Sequence, residues 1–334
     1  MNKGAFTMQL NLIENIKHSD HRNLNSFTLD RFKNIDKSFS LRSECLKLSQ
    51  LFLENKDKDA LMLLDNLIYL KSLDSKASSH QSWFTRLKEL KEFYLSLDSD
   101  NVKIKFPIFA KDGNGKLPFL NYSTIPIVNC VGSGACETYC YSLNSMRFPN
   151  AVCKWLQNTI LENRRFDIIE NEFNKVLNSG KFKKMERIDF RLYNDGDFSS
   201  IEICKKWLDL LKKFPNVKAY GYTKSLNLFV QLTEQNYKFP TNYKFNVSNG
   251  GIYDSLKDFP EIKNNVCYRG EFIAVNMGYK IKATKITKEE RRAIKNKIND
   301  KFFMCPGVCG SCSGVGHACG ADEFKNKKIV IAVH

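Results

Sequence analysis

The second half of the chain alternates between stretches typical of β-strands and stretches typical of helices, and this alternation most constrains the fold. Strand-like segments cover residues 186–194, 217–223, 243–249 and 271–277. Helical patterns separate them, a short one before the last. Parallel strands need a long crossover between them, which a helix usually supplies. We therefore predict an α/β fold with a partial (β/α) barrel or a curved parallel sheet.

The first part of the chain has a different character. Apolar residues recur at steps of three and four through residues 40–73 and 80–97, which is typical of amphipathic helices. We predict an all-α N-terminal region over residues 1–98 and an α/β domain that carries the cysteine clusters over residues 99–334. The helices contain no chemical motif. Two roles stay open for them, which are the binding of a protein partner and a purely structural scaffold.

Seven of the eleven cysteines lie in two short, glycine-rich loops. The first loop has the spacing C-x5-C-x3-C, and the second, within residues 304–320, has C-x3-C-x2-C-x6-C. Thiolates bind soft metals, and cysteines clustered in an intracellular protein hold metal more often than they form disulfides. The predicted metal ligands are Cys130, Cys136, Cys140, Cys305, Cys309, Cys312 and Cys319.

The identity of the metal stays open at this point. Three thiolates from one loop suit three corners of a 4Fe-4S cluster, with the fourth iron left open or bound from elsewhere. The four thiolates of the second loop make a complete set for zinc or for a second cluster. The two loops could also share one cluster, and His317 could replace one thiol. We predict that Cys45, Cys153, Cys204 and Cys267 pack in the core, with the alternative for Cys267 that it supplies a missing metal ligand.

Polar residues follow three of the predicted strands directly. Because ligands bind at the carboxyl ends of parallel strands, these residues are candidates for cofactor binding. They are Asp195, Gly196, Asp197, Tyr222, Thr223, Lys224, Ser225, Asn246, Ser248 and Asn249. The alternative for the two aspartates is an Asp-Gly turn in which Ser199 or Ser200 helps to cap the next helix. No acid–base pair or nucleophile stands out, so the catalytic residues are unknown.

The chain carries a formal net charge of +16, with nine basic and three acidic residues between Lys280 and Lys301. We predict a basic helix over residues 285–301. Segment 280–301 could contact nucleic-acid phosphates, or its charge could reflect only a lysine-rich composition. The sequence has no apolar run near the roughly 18 residues of a membrane span and no signal-peptide pattern at its start, so we expect a cytoplasmic protein without membrane contact.

Several segments in this order resemble a known family. They are the cysteine loop ending in "CYS", "FPNAVCKWLQNTILENR", "RLYNDGDFSS", "VKAYGYTKS" and the terminal cysteine cluster. Together, over about residues 105–320, they resemble a phage and plasmid family called gene product eighty-eight, whose function is unknown.

That family is distantly similar to radical SAM enzymes, which hold a 4Fe-4S cluster on a three-cysteine loop. The resemblance implies that Cys130, Cys136 and Cys140 are cluster ligands, with Tyr139 as the aromatic residue before the last of them. It also implies that "NDGDF" meets the methionine amine of S-adenosylmethionine. The C-x3-C-x2-C spacing usual in that superfamily occurs instead at Cys305, Cys309 and Cys312. Auxiliary clusters tend to occupy such late positions.

Two functions follow as hypotheses. The first is an iron–sulfur protein of phage or plasmid type, and, if it is an enzyme, a radical SAM-like oxidoreductase or transferase acting on nucleic acid or another anionic substrate. The second is a non-catalytic nucleic-acid-binding protein whose fold is stabilised by bound zinc or by a cluster.

Overall fold

A computed structural model describes residues 40–334, with gaps at 74–77, 114, 116, 280, 311, 313–316 and 334. The chain divides into two compact units, Met1–Glu44 and Cys45–His334. The second unit contains the sheet and both cysteine loops. The predicted helices before residue 40 lie outside the described residues.

Among the described residues, seven parallel strands form one open sheet, which is not closed into a barrel. The strands are β1 Leu120–Asn121, β2 Ile188–Arg191, β3 Val217–Thr223, β4 Tyr243–Ser248, β5 Tyr268–Val275, β6 Phe302–Met304 and β7 Lys327–Ala332. Their order is β1-β2-β3-β4-β5-β7-β6, so the last strand of the chain enters between its two predecessors. The predicted α/β class with a parallel sheet is confirmed.

Ten α-helices accompany the sheet in the described part of the chain. They are α1 Ser40–Leu53, α2 Asp57–Ser72, α3 Ser78–Leu95, α4 Ser142–Ser145, α5 Pro149–Arg164, α6 Phe166–Leu177, α7 Ile201–Lys212, α8 Leu226–Glu234, α9 Pro260–Lys263 and α10 Lys288–Ile298. Helices α1 to α3 confirm that the described N-terminal region is helical.

The two faces of the sheet differ in what covers them. Alternate residues of each strand point to opposite faces, so Phe190 of β2 meets the helices while Arg191 points away from them. On the helix face, Phe190 packs against Phe173 of α6 and Trp207 of α7, with ring centroids 5.2 and 6.1 Å apart. In the part of the chain that the structure describes, no helix packs on β3 from the opposite side, and we call this side the helix-free face. Ala318 and Cys319 pack there.

Helix α10, Lys288–Ile298, corresponds to the basic helix predicted over residues 285–301 but is shorter at both ends. It begins with a capping box, in which Thr287 and Glu290 exchange hydrogen bonds between side chain and backbone. Its buried Ile294 packs against Val275 of β5 and Val330 of β7. Ile329, the residue before Val330 in β7, points to the opposite face of the sheet. It packs near Cys319 on the helix-free face. The basic helix and the second cysteine loop therefore lie on opposite faces of the sheet.

Candidate metal centre

The first cysteine loop lies against the carboxyl ends of β3 and β4. The backbone N–H of Cys136 donates to the carbonyl of Gly250 at 3.0 Å, and the N–H of Ile252 donates to the carbonyl of Gly132, also at 3.0 Å. Ser133 and Gly251 form an antiparallel bridge between these contacts. The loop that carries three thiols is thus fixed by backbone hydrogen bonds at the edge where ligands of parallel sheets usually bind.

Two glycines allow this close approach. A Cβ on Gly132 would lie 2.1 Å from the carbonyl oxygen of Lys224. Gly250 has a φ of +85°, and a Cβ there would lie 2.4 Å from the hydroxyl of Tyr139 and 3.2 Å from the Cβ of Cys136. The glycine-rich composition of the loop therefore reflects tight packing between backbones rather than turns alone.

The three thiols of this loop influence one another. Burial raises the pKa of Cys130 well above its usual value, and the charges of Asp197, Cys140 and Cys136 act in the same direction. Burial also raises the pKa of Cys140, although the Ser142 backbone N–H and the nearby Lys224 ammonium oppose it. Cys130 and Cys140 therefore keep their protons at neutral pH unless a bound cation displaces them.

Asp195 and Asp197 are occupied by hydrogen bonds from the protein. Asp195 accepts from Ser142 at 2.6 Å, from Asn194 at 3.0 Å and from Ser123 at 3.2 Å. Ser142 lies two residues after Cys140, so Asp195 ties the first cysteine loop to the end of β2. Burial raises the pKa of Asp195, and these three donors oppose the shift.

Asp197 joins the loops that follow β2 and β3. It accepts from the backbone N–H groups of Phe198 and Lys224, both at 2.8 Å, and from the hydroxyls of Thr223 and Ser225 at 3.1 and 3.2 Å. Helix α7 is capped by Ser200, whose hydroxyl accepts from Ile203, and not by Asp197. The assignment of both aspartates to cofactor binding stays a prediction, and their contacts show that they hold the loops together.

The other predicted strand-end residues divide between the carboxyl edge of the sheet and the helix-free face. The Lys224 ammonium donates to Ser248 at 2.7 Å, close to the first loop. Asn249 pairs with Ala274, accepting from its N–H at 2.8 Å, and so extends the contact between β4 and β5. Asn246 points to the helix-free face, where its amide donates to the carbonyl of Cys319 at 2.8 Å. Thus Tyr222 and Asn246 belong to the surroundings of the second cysteine loop.

The second cysteine loop begins directly after β6 and lies on the helix-free face. The N–H of Cys305 donates to Val330 of β7 at 2.8 Å. The hydroxyl of Tyr222 donates to the Sγ of Cys319 at 2.8 Å, and the N–H of Ala318 donates to the Sγ of Cys312 at 3.1 Å. Burial raises the pKa of the Cys305 thiol, and the neighbouring thiols of Cys309 and Cys312 act in the same direction. The backbone N–H of Gly307 opposes this shift.

The ring of His317 is in contact with other protein groups. Its ring stacks on Tyr220 with centroids 4.2 Å apart, and its Nδ1 accepts from the N–H of Gly320. Its Nε2 lies 3.1 Å from a carboxylate oxygen of Asp189. Both ring nitrogens therefore face protein groups, which favours the four-cysteine set over a set that contains His317.

Sequence reasoning missed Arg191, the last residue of β2. Its side chain lies on the helix-free face, with Cζ 4.3 Å from the centroid of the Tyr222 ring. Burial alone would lower the pKa of Arg191, but the acidic groups around it, Tyr222, Tyr141, Tyr220 and Cys309, outweigh burial and hold the pKa above its usual range. Tyr141 belongs to the first loop and Cys309 to the second. No signal in the sequence could have identified it, because Arg191 lies inside the predicted strand 186–194, whereas β2 ends at Arg191.

The four cysteines outside the two loops are buried, as predicted. Cys45, Cys153, Cys204 and Cys267 are fully buried, and Cys267 donates to the carbonyl of Pro240 at 3.1 Å. All eleven cysteines carry thiols rather than disulfides. Burial keeps these four away from metal chemistry, so they can serve as controls for the seven loop cysteines.

The two cysteine loops suit a single metal ion and an iron–sulfur cluster to different degrees. Among the described residues, no group of three or more His, Cys, Asp or Glu side chains could hold a metal ion. The thiols of each loop are electrostatic neighbours all the same, and thiols are the donors that iron–sulfur clusters and zinc require. A cluster binds its cysteines at separate corners rather than around one point. The donor chemistry therefore fits a cluster better than it fits a single ion.

The fold and the site together define a class of protein: an open parallel α/β protein with one cysteine loop at the carboxyl edge of its sheet and another on the helix-free face. The family model described as Gene product 88 matches residues 95–319. The chain belongs to this family. The comparisons gave no match among curated proteins and none among solved structures. Within the described part of the chain, no helix has the length and apolar character that crossing a membrane requires.

Proposed function

We propose that the chain is an iron–sulfur protein in which the first cysteine loop binds a 4Fe-4S cluster at the carboxyl edge of the sheet. One observation carries the proposal. Cys130, Cys136 and Cys140 are electrostatic neighbours on a loop that is fixed, at Gly132 and Cys136, to the segments after β3 and β4, where glycines leave no room for a side chain. Such rigid placement of soft donors is what a preorganised cluster site needs.

The surroundings of the first loop suit an anionic cluster. The Lys224 ammonium acts on the Cys140 thiol in the direction that favours the thiolate. Ser248 holds that ammonium in place through a 2.7 Å hydrogen bond. Asp195 and Asp197 fix the loops on either side and so act as positioning residues. When bound, a cluster would supply electron transfer at this edge, which is the chemistry expected of a radical SAM-like enzyme.

The second loop offers four thiolates for a further cluster or for zinc. Its cysteines lie on the helix-free face, apart from the contacts that fix the first loop. We therefore propose two separate sites rather than one shared cluster. The measured ratio of iron, zinc and sulfide per chain distinguishes two clusters, one cluster with one zinc, and one cluster alone.

Anaerobic purification tests this proposal directly. We expect brown protein with iron and acid-labile sulfide, with about four irons for each cluster present. Cys136→Ala should remove the iron of the first site and leave the helical circular dichroism signal unchanged. Cys204→Ala, which changes a buried cysteine of α7, should keep all the metal. Colourless wild-type protein that contains only zinc contradicts the cluster proposal.

S-adenosylmethionine gives a finer test of the same site. In a radical SAM-like enzyme it binds the open iron of the three-cysteine cluster, so its addition should change the electron paramagnetic resonance spectrum of the reduced wild-type protein. The same addition to Cys136→Ala should change nothing. An unchanged wild-type spectrum would show that S-adenosylmethionine does not bind the cluster. The proposal that the chain is an iron–sulfur protein would then stand without this cofactor.

A second candidate function, nucleic-acid binding, is supported by helix α10. Four of its exposed cations form no ion pair within the part of the chain that the structure describes: Lys288, Arg291, Arg292 and Lys295. Unpaired cations on one helix can neutralise successive phosphates of a nucleic-acid backbone. Because α10 lies on the opposite face from the second cysteine loop, this binding would not require contact between nucleic acid and metal.

Salt dependence tests the nucleic-acid interface. Binding of labelled duplex DNA and RNA would be measured by fluorescence anisotropy over a series of salt concentrations. Replacing the four unpaired cations by glutamine should reduce the slope of log affinity against log salt by about 0.9 for each phosphate that the helix no longer neutralises. The control replaces four lysines that are already ion-paired: Lys91, Lys105, Lys181 and Lys213. Equal effects of both replacements would show only attraction by net charge.

A further inference from the structure

Arg191 is a buried cation without a matching anion. Only 9% of the residue is exposed, its Nε has no hydrogen-bond partner, and within the described residues it forms no ion pair. The carboxylate of Asp195 acts on it electrostatically but is already bound by three other donors. A buried charge without a counter-charge costs several kcal/mol, roughly, so such an arrangement persists when something compensates it.

Arg191 borders the cluster of side chains that contains the second cysteine loop. Its Cζ lies 5.9 Å from the centroid of the Tyr220 ring. Tyr220 in turn packs with Cys319, Cys305 and Cys312. The buried guanidinium is therefore positioned to stabilise negative charge on sulfur.

Tyr222 connects the guanidinium to this loop. Its ring lies 4.3 Å from the Cζ of Arg191, and its hydroxyl donates to the Sγ of Cys319 at 2.8 Å. A cation on the face of a tyrosine ring is attracted by the ring quadrupole. Arg191 thus helps to hold the ring whose hydroxyl reaches the sulfur.

We propose that Arg191 and Tyr222 are positioning residues for a metal–thiolate group on the second cysteine loop, with Arg191 as its counter-charge and Tyr222 as the hydrogen-bond donor to one sulfur. The inference rests on the proposed function, because it requires that this loop hold a metal. Partners outside the ligand shell orient the ligands and tune the metal. Their loss typically lowers metal affinity by about 10- to 100-fold.

The test is made in the Cys136→Ala background, so that the second loop holds the remaining metal. Arg191→Met, Arg191→Lys and Tyr222→Phe would be compared by competition with a chelator and, where the metal is iron, by the reduction potential. Tyr243→Phe is the control, since it removes a hydroxyl from a buried tyrosine that faces the helices.

We expect Arg191→Met and Tyr222→Phe to weaken metal binding by about 10- to 100-fold and to shift an iron cluster to a more negative potential. Arg191→Lys should restore a large part of the affinity because it keeps the charge. Tyr243→Phe should match the background. Retained metal with unchanged affinity and potential in both test variants overturns this inference alone. A second loop that holds no metal in the unmutated chain overturns the proposed metal site and this inference together.

Discussion

The backbone N–H of Cys136 lies 3.0 Å from the carbonyl oxygen of Gly250 and donates a hydrogen bond to it. This bond joins the first cysteine loop to the segment that follows β4. Gly250 can accept it only because its backbone adopts a φ of +85° and its α-carbon carries no side chain. The geometry of the three-cysteine loop therefore depends on a residue more than 100 positions away in the chain.

Gly250→Ala should destabilise the protein and displace the first loop. The left-handed conformation costs an alanine about 1–2 kcal/mol, and overpacking against Tyr139 and Cys136 adds about 1–3 kcal/mol. Gly278→Ala is a matched control, because Gly278 has a φ of +82° but no atom within 4 Å of the place that a Cβ would take. Chemical unfolding of both variants isolates the packing cost as their difference. Equal losses of stability in the two variants would mean that the first cysteine loop accommodates the added methyl group without a packing cost.

Asp197→Ala should cost about 3 kcal/mol or more of folding stability. It removes an acceptor from two backbone N–H groups and two hydroxyls, and hydrogen bonds to charged groups contribute about 1.5–3 kcal/mol each. Asp112→Ala, which removes an exposed carboxylate paired with Lys181, should leave stability close to that of the wild type, because exposed ion pairs contribute little. Urea unfolding measures both. A stable Asp197→Ala protein that has lost only metal would instead support a direct role in cofactor binding.

The elements that the sequence predicted best are those whose pattern is local. Strand β3 has the bounds Val217–Thr223 that its apolar residues indicate, and α7 and α8 follow their amphipathic patterns. Strands β6 and β7 were missed. β6 has only three residues, and β7 pairs with β5 and β6 through contacts that no local pattern records.

The site was predictable as a set of residue types but not as an arrangement. The cysteine spacing identified both loops, whereas the placement of the second loop on the helix-free face depends on where β7 enters the sheet. Arg191 was missed because one arginine at a strand end has no distinctive pattern. Its importance arises from burial next to Tyr222, which only the folded chain shows.

Arg164 connects the first helices to α5, and Arg164→Ala should loosen that contact. Its guanidinium donates to the carbonyl of Phe52 at 3.1 Å and to Asp57 at 2.6 Å. The side chain is 18% exposed, so we expect a loss of about 1–2 kcal/mol in stability. Lys213→Ala, which breaks an exposed pair with Glu170, should cost less than about 1 kcal/mol. Hydrogen exchange in α1 and α2 should rise in the first variant only.

Glu162 is a fully buried carboxyl group that links the core to the first cysteine loop. It accepts from Tyr193 at 2.6 Å, from Trp207 at 2.7 Å and from Asn129, the residue before Cys130, at 3.2 Å. Burial raises the pKa of Glu162 from its ordinary 4.5 to about 7, although these three donors oppose the shift. Because the folded protein holds this proton more tightly than the unfolded chain, its stabilising effect is complete below pH 4.5 and is lost as the pH rises through about 7.

Glu162→Gln should remove this pH dependence. A shift from 4.5 to about 7 corresponds to about 3 kcal/mol of stability. Glutamine keeps the shape and can still accept from Tyr193 and Trp207. It can donate to the Oδ1 of Asn129, which is buried without a partner, if that amide turns over. Urea unfolding between pH 4.5 and 8 should therefore show the wild type losing about 3 kcal/mol relative to the variant. A constant difference across that range would show that Glu162 does not change protonation on folding.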